Sequence, residues 1–297
     1  YDANVPIATH QADTLETIYI APDASSNGAW VRVSGWQMFG AISSWAGIVG
    51  DGVTDDATLI NTFLSDMKAL GVSVAFEEKT YLIADTIEVP ENFTMHFNNS
   101  EILIDESEIG NHTIKSGASG KLGFYVADGI CKITGKVKFS SDATVGTSSA
   151  CGILFDKTST PKVENLEYYN LPLGCFTYET VGGYIDTQYG DEMHGTQVFT
   201  TGTAGSCFVL SGAQSLKFGN VTGVNCGKPV VYFSVNATQP NENCYGGVVY
   251  GTAKSGTTQS HAVGVRSARN CGVDSSVFTG GYRCVNIAHE TVDANSR

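Results

Sequence analysis

Short apolar runs broken by polar turn residues dominate this chain. Val72-Ser-Val-Ala-Phe76, Thr80-Tyr-Leu-Ile83, Thr86-Ile-Glu-Val89, Thr94-Met-His-Phe97, Glu101-Ile-Leu-Ile104 and Thr113-Ile-Lys115 are each three to five residues long. That length, with turn residues between, predicts strands. Beyond residue 150 the runs become periodic. Apolar four-residue segments start near Ile153, Cys175, Cys207, Val230, Ala262 and Cys284, at steps of 22, 32, 23, 32 and 22 residues. A recurring step of this size marks a solenoid, in which each coil buries its apolar side against its neighbours. The shorter step predicts one coil, and the longer step one coil with an insertion of about ten residues. Secondary strands fall between, at Leu216-Lys-Phe218, Gly247-Val-Val-Tyr250 and Val273-Asp-Ser-Ser-Val277. Asn225 ends another such strand, at a corner where asparagine tolerates left-handed backbone.

One segment has a different period. Leu59, Ile60, Phe63, Leu64, Met67 and Leu70 form one face of an α-helix, and Gly71 is a C-terminal stop. Before it runs Val49-Gly-Asp-Gly-Val-Thr-Asp-Asp56. Gly50 and Gly52 suit a tight turn. Thr54 is expected to cap the helix, with Asp55 and Asp56 in its first turn. The three aspartates therefore read as structural, since the alternating oxygen ligands of an EF-hand loop are absent.

This stretch, followed by the helix and by Val74-Ala-Phe-Glu-Glu-Lys-Thr-Tyr81, resembles the opening of the pectate-lyase-like right-handed parallel β-helix found in phage tailspikes and capsule depolymerases. The family pattern V-x-F-P-x-G-T-Y is kept at Val74, Phe76, Thr80 and Tyr81; Glu77 and Lys79 replace its Pro and Gly. The resemblance is specific over 49–81 and architectural beyond. It implies an all-β chain, a right-handed parallel β-helix with a short N-terminal capping helix and neck. Residues 1–48 would be the neck or connector and 49–297 the β-helix domain. It also implies a homotrimer that binds a bacterial polysaccharide and joins phage tail or baseplate proteins through its N-terminal side. Its place would be the virion tail, acting at the bacterial surface. The polar end at Arg297 does not read as a large cap, so further chain or a partner is expected there.

Composition fits this picture. Of 297 residues 42% are hydrophobic and only 16% charged, with 34 glycines and 7 prolines, which favours a β-rich solenoid over a helical bundle. A net charge of −13 argues against nucleic acid and favours a neutral or weakly charged sugar over a polyanion. No run of about 18 apolar residues is present, so no membrane insertion is expected. The eight cysteines lie 13 to 32 residues apart without a C-x-x-C pair and head apolar segments, which predicts reduced core positions. Trp30, Trp36 and Trp45 crowd before the helix and are expected to seal the open end of the solenoid.

The candidate chemistry lies in Glu179-Thr-Val-Gly-Gly-Tyr-Ile-Asp-Thr-Gln-Tyr-Gly-Asp-Glu-Met-His194, within the first long step. With Val181 and Ile185 inward, alternation sends Tyr184 and Asp186 outward. Glycoside cleavage needs one acid to protonate the leaving oxygen and a second to activate water or attack the sugar. Asp186, Asp191 and Glu192 are the candidate catalytic carboxylates; Glu179, Tyr184, Tyr189 and His194 are the candidate sugar contacts. Glu242 could partner a carboxylate on another rung. The alternatives are a polysaccharide lyase, using the cations Lys254, His261, Arg266 and Arg269 to neutralise a uronate and take a proton, or a non-catalytic adhesin or stalk. No cofactor is called for, and Asp191-Glu-Met-His194 is a poor metal site.

Overall fold

The structure, a computed structural model, describes residues 2–21, 27–32, 40–157, 159–196, 198–199, 205–234, 236, 238–257, 260–280 and 283–287. Two parallel sheets run the length of the molecule. One holds Ile87–Val89, Ser119–Val126, Ala150–Phe155, Leu173–Tyr178, Ser206–Ser211, Val231–Ser234, His261–Val265 and Arg283–Ile287, side by side in chain order. The other holds the longer strands Phe93–Ile104, Ile130–Ser141, Thr160–Tyr169, Tyr184–Asp191, Val221–Cys226, Tyr245–Ala253 and Gly272–Thr279, again in chain order. Each coil alternates between the sheets, which makes the fold a parallel β-helix.

The long strands have two arms. Asn99 turns through φ +53° midway along Phe93–Ile104, the next strand shifts register between Ile133 and Lys136, and Lys217–Phe218 is separate from Val221–Cys226. The coil is therefore three-sided. At one corner Gly182, Ser215, Asn243 and Asn270 all have positive φ and stack in register, with Asn270 Nδ2 donating to Asn243 Oδ1 at 2.6 Å. At another, Asn170, Glu192 and Asn225 do the same. The left-handed corner expected at Asn225 is present, at φ +51°.

Inside, aromatic side chains of successive rungs form a column. Phe76 and Phe97 stack with centroids 4.8 Å apart, and Phe97–Phe124, Phe124–Phe139 and Phe139–Tyr168 follow at 6.2, 5.2 and 6.4 Å. Among the cysteines whose side chains are described, six are buried and Cys271 is half-buried; all seven are free thiols, as the sequence predicts.

The first sheet is apolar on both faces, which explains the unbroken apolar runs that announce it. Ile153, Phe155, Phe208 and Phe233 face the column, while Leu154, Phe176, Val209 and Tyr232 face outward into a second cluster. Phe199, 5.6 Å from the Phe176 ring, helps cover that outer face. The extra residues of the first long step thus fall after the Tyr184–Asp191 strand. The stretch 184–191 is ordinary coil and not an elaborated loop, because Lys162–Tyr169 pairs along it with no shift of register.

The helix Ala57–Leu70 closes the N-terminal end. Ile60, Phe63, Leu64 and Met67 are fully buried, with Phe63 edge-on to Phe76 at 6.4 Å, and Gly71 ends the helix at φ +68°. Its start differs from the expectation. Thr54 and Asp55 belong to the strand Asp51–Asp55, and Asp56 is the N-cap residue. Asp56 is buried and turns back, taking the N–H groups of Val49 and Gly50 at 2.9 Å each. Asp55 accepts from Ala57 N and Ala84 N, and Asp51 from Val53 N and Thr54 N. The loop's own N–H groups take Asp51 and Asp56, and of the three carboxylates Asp55 reaches the helix, at Ala57 N.

The neck is tied to that helix through Asp66, which accepts from Thr14 Oγ1 at 2.8 Å and Leu15 N at 3.2 Å. Ile18 and Trp45 pack on the core, with the Arg32 guanidinium 4.7 Å over the Trp45 ring. Trp30 is 56% exposed and seals nothing, because it sits on a two-stranded ribbon with Tyr19–Ile20. Trp36 lies outside the described residues. No helix is long and apolar enough to cross a membrane among the described residues.

Candidate active site

The structure divides the candidate residues among four places on the coil. Glu179 stands at one corner. Its carboxylate takes Lys157 at 3.1 Å, Asn236 Nδ2 at 3.1 Å and the Thr238 hydroxyl. Burial pushes its carboxyl up, but these bonds outweigh that and hold it below the ordinary range. It braces two loops.

Tyr184 and Asp186 lie on the first arm. Ile185 between them is fully buried, so both side chains leave the core, and Tyr184 Oη donates to Asp186 Oδ1 at 2.9 Å. Val181 is 55% exposed, not inward, because it precedes the glycine corner and not the strand proper. Lys162 pairs with Tyr184 and Asn165 with Thr187, so Glu164 stands opposite Asp186 on the neighbouring rung. Glu164 is exposed and accepts from Gly135 N at 2.6 Å. At a rung spacing of about 4.8 Å their backbones are neighbours, while the carboxylates turn apart, Glu164 back to Gly135 and Asp186 toward Gly219. Asp186 and Asp191 are farther apart. Five residues of strand, at roughly 3.3 Å each, put up to about 16 Å between them, beyond either glycosidase geometry.

Asp191, on the second arm, pairs with Tyr169, and Tyr189 pairs with Glu167. Glu167 and Asp191 are thus diagonal neighbours, about 8 Å apart along two residues and across one rung. Tyr169 and Tyr189 are both exposed beside them. Burial and then the charges of Asp191 and Glu167 raise the Tyr189 hydroxyl above its usual value. Glu167 is held by Lys136 at 2.9 Å.

Glu192 and His194 occupy the far corner. Glu192 accepts from Asn225 Nδ2 at 2.8 Å through one oxygen and meets His194 Nε2 at 2.6 Å through the other. His194 is buried, and its Nδ1 lies 3.0 Å from Lys254 Nζ. A buried histidine therefore links a carboxylate to an ammonium. The chain brings together here a residue expected as a sugar contact and a cation expected of a lyase.

The other cations expected with Lys254 scatter. His261 is buried in the first sheet, Arg266 lies 5.9 Å over the Tyr232 ring, and Arg269 meets Glu242 at 3.7 Å. Among the described residues no group of three His, Cys, Asp or Glu is arranged to hold a metal ion.

Sequence reading missed Glu164 and Glu167. The signal was present. Glu164 precedes Asp186 by the same 22-residue step that separates Ile153 from Cys175. Carrying that step through the acidic residues would have found the pair.

No protein-family model matches the chain, and no curated protein does. Among solved structures it is similar to a "putative glycosyl hydrolase" of Parabacteroides merdae, at 13% identity and a TM-score of 0.30 over 82% of this chain and 96% of that one. It is also similar to PfbA, a surface adhesin of Streptococcus pneumoniae, at 10% identity and a TM-score of 0.31 over 84% of this chain and 91% of that one. Similarities this distant carry no argument about activity.

Proposed function

We propose that the protein binds a bacterial surface polysaccharide along the outer face of the two-armed sheet and cleaves it within the chain, as a tailspike-type depolymerase. The observation behind this reading is the register that places Glu164 and Asp186 at facing positions of adjacent rungs, beside the exposed ring of Tyr184. One carboxyl group protonates the glycosidic oxygen as it leaves, and the other attacks the sugar or activates water. Tyrosine rings stack on sugar faces, and exposed tyrosines recur along this face at Tyr169, Tyr184, Tyr189, Tyr245 and Tyr250.

Incubation with capsules from a panel of strains, followed by polymer size, tests the reading. Shortening of at least one capsule is expected, with loss of at least about a hundredfold in rate in Glu164→Gln and in Asp186→Asn and binding retained. Full cleavage by the double variant would refute the assignment of the pair.

A second reading is favoured by the contact of Lys254 with His194. An ammonium held this way can neutralise a uronate carboxylate, one of the two tasks of a lyase, with the proton passing to a separate base. Ultraviolet absorbance appearing with cleavage, and lost in Lys254→Met, distinguishes the two. The tailspike reading also carries a homotrimer attached to a phage tail through its N-terminal side. A single-chain mass in sedimentation equilibrium would remove that part.

A further inference from the structure

We infer that the first arm of the two-armed sheet carries a track for an acidic linear glycan, one bearing a carboxylate or sulfate on its repeating unit. The inference rests on the glycan-binding reading above and narrows its substrate class.

The track is a row of outward residues fixed by register. Lys132 pairs with Lys162, Lys162 with Tyr184, Tyr184 with Lys217, and Lys217 with Tyr245. At about 4.8 Å per rung the row is about 19 Å long and lies parallel to the solenoid axis. All five residues are exposed.

The charge pattern is unusual for this chain. Its net charge is −13, and Lys79, Lys115, Lys121, Lys136, Lys138 and Lys157 each meet a carboxylate. Lys132, Lys162 and Lys217 meet none among the described residues. Lys132 and Lys162 are also direct lateral neighbours, an arrangement that costs stability in a sheet. An anion laid along the row removes that repulsion.

The tyrosines beside the cations are held at their hydroxyls, Tyr184 to Asp186 at 2.9 Å and Tyr245 to Asn270 at 2.5 Å. The anchored hydroxyls hold the rings in place, so stacking a sugar on them costs little side-chain entropy. The acids nearest the row, Glu164 and Asp186, stand one row over toward the bend. A chain whose acidic groups sit on the lysines therefore passes its linkages near that carboxylate pair. The negative charge elsewhere repels polyanions from the rest of the surface, which confines them to the track.

Affinity electrophoresis tests the inference, with polygalacturonate, alginate, hyaluronate, chondroitin sulfate and heparin as acidic probes. Dextran and methyl-esterified polygalacturonate serve as neutral ones, and single-stranded oligothymidine as an unrelated polyanion. At least one acidic glycan is expected to retard the protein at low salt and to lose its hold as salt rises. The triple variant Lys132→Gln, Lys162→Gln, Lys217→Gln should bind that glycan about tenfold more weakly; Lys162→Gln alone should show a smaller loss, and neither should melt below the parent. Binding of no acidic glycan, equal binding of the esterified polymer, an unaffected triple variant, or retention by oligothymidine alone would overturn it. Cleavage of a neutral capsule without acidic-glycan binding sinks the track and leaves the depolymerase reading standing. Acidic-glycan binding with no capsule shortened does the reverse.

Discussion

Nζ of Lys254 lies 3.0 Å from Nδ1 of His194, across 60 residues of sequence. An ammonium has only donors, so Nδ1 is the acceptor and the proton of the neutral ring sits on Nε2, which donates to Glu192 at 2.6 Å. The loop holding Gly146 closes over this ring, and a Cβ at that position would lie 2.7 Å from His194 Cε1. Nitrogen NMR should therefore find His194 as the Nε2–H tautomer in the parent. In Lys254→Met the Nδ1 resonance should shift while the Glu192 bond persists. Gly146→Ala should push the ring away and break both contacts. A parent His194 carrying its proton on Nδ1 would contradict the relay.

The Asp-Gly-Val-Thr-Asp-Asp segment makes a stability prediction that separates two nearby residues. Asp56 is buried with two backbone N–H groups on its carboxylate. Asp56→Ala leaves both without a partner and should cost about 2–3 kcal/mol in urea unfolding. Thr54 is exposed, and its hydroxyl meets only Asp51 at 3.0 Å. Thr54→Ala should change stability by less than about 0.5 kcal/mol. A helix capped by Thr54 predicts the opposite order.

Much of the fold was legible because the coil repeats. The expected steps of 22, 32, 23, 32 and 22 residues compare with register pairs Ile153–Cys175, Cys175–Phe208, Phe208–Val231, Val231–Val263 and Val263–Val285. The first and the last three steps agree, and one is longer by a residue. That residue matters, since a slip of one exchanges the faces of a strand; Phe208, not Cys207, is the rung partner of Cys175. The site was less legible. Carboxylates close in sequence, Asp186 and Asp191, lie along one strand and are held apart by its rise. Carboxylates at facing register positions, Glu164 and Asp186, come from different coils. Only lateral register, set by the length of every corner loop, brings them together. The neck gave the weakest signal, because Trp30 and Trp45 are alike in sequence and only the packing separates them.

Acid should loosen the coil through Glu106. Burial pushes its carboxyl up, but bonds from Ser148 Oγ at 2.5 Å and Ser149 N at 2.8 Å, with Lys121 and Ser149 Oγ, hold it net below the usual 4.5. A carboxyl lowered in the folded state binds fewer protons than in the unfolded chain. The stability it adds is present above about pH 4.5 and is lost as pH falls through the folded value. Glu101 and Glu179 are lowered as well and act with the same sign. Glu106→Gln should cost about 1–3 kcal/mol at pH 7 and flatten the acid limb of a plot of melting temperature against pH. An unchanged acid limb in the variant would remove Glu106 from the account.

Cys271 should be the reactive thiol among those described. The Cys244 thiol on the preceding rung is the main cause that lowers it, to about 7, against the opposing effect of burial, and the Cys244 N–H lies 3.4 Å from its sulfur. Cys271 is half-buried, so a small reagent reaches it. Burial instead pushes Cys131 up to about 12 and raises Cys151 and Cys175, and these are closed to solvent. Because the thiolate is the nucleophile, brief iodoacetamide treatment at pH 7.5 should modify the Cys271 peptide first and leave those holding Cys131, Cys151, Cys175, Cys207, Cys226 and Cys244 unmodified until urea is added. Cys244→Ala should move the pH midpoint of Cys271 labelling upward, toward that of an ordinary thiol, by removing the lowering partner. Equal labelling of Cys244 and Cys271 in the folded protein, or a midpoint indifferent to Cys244→Ala, would show that the stacked pair does not set the reactivity.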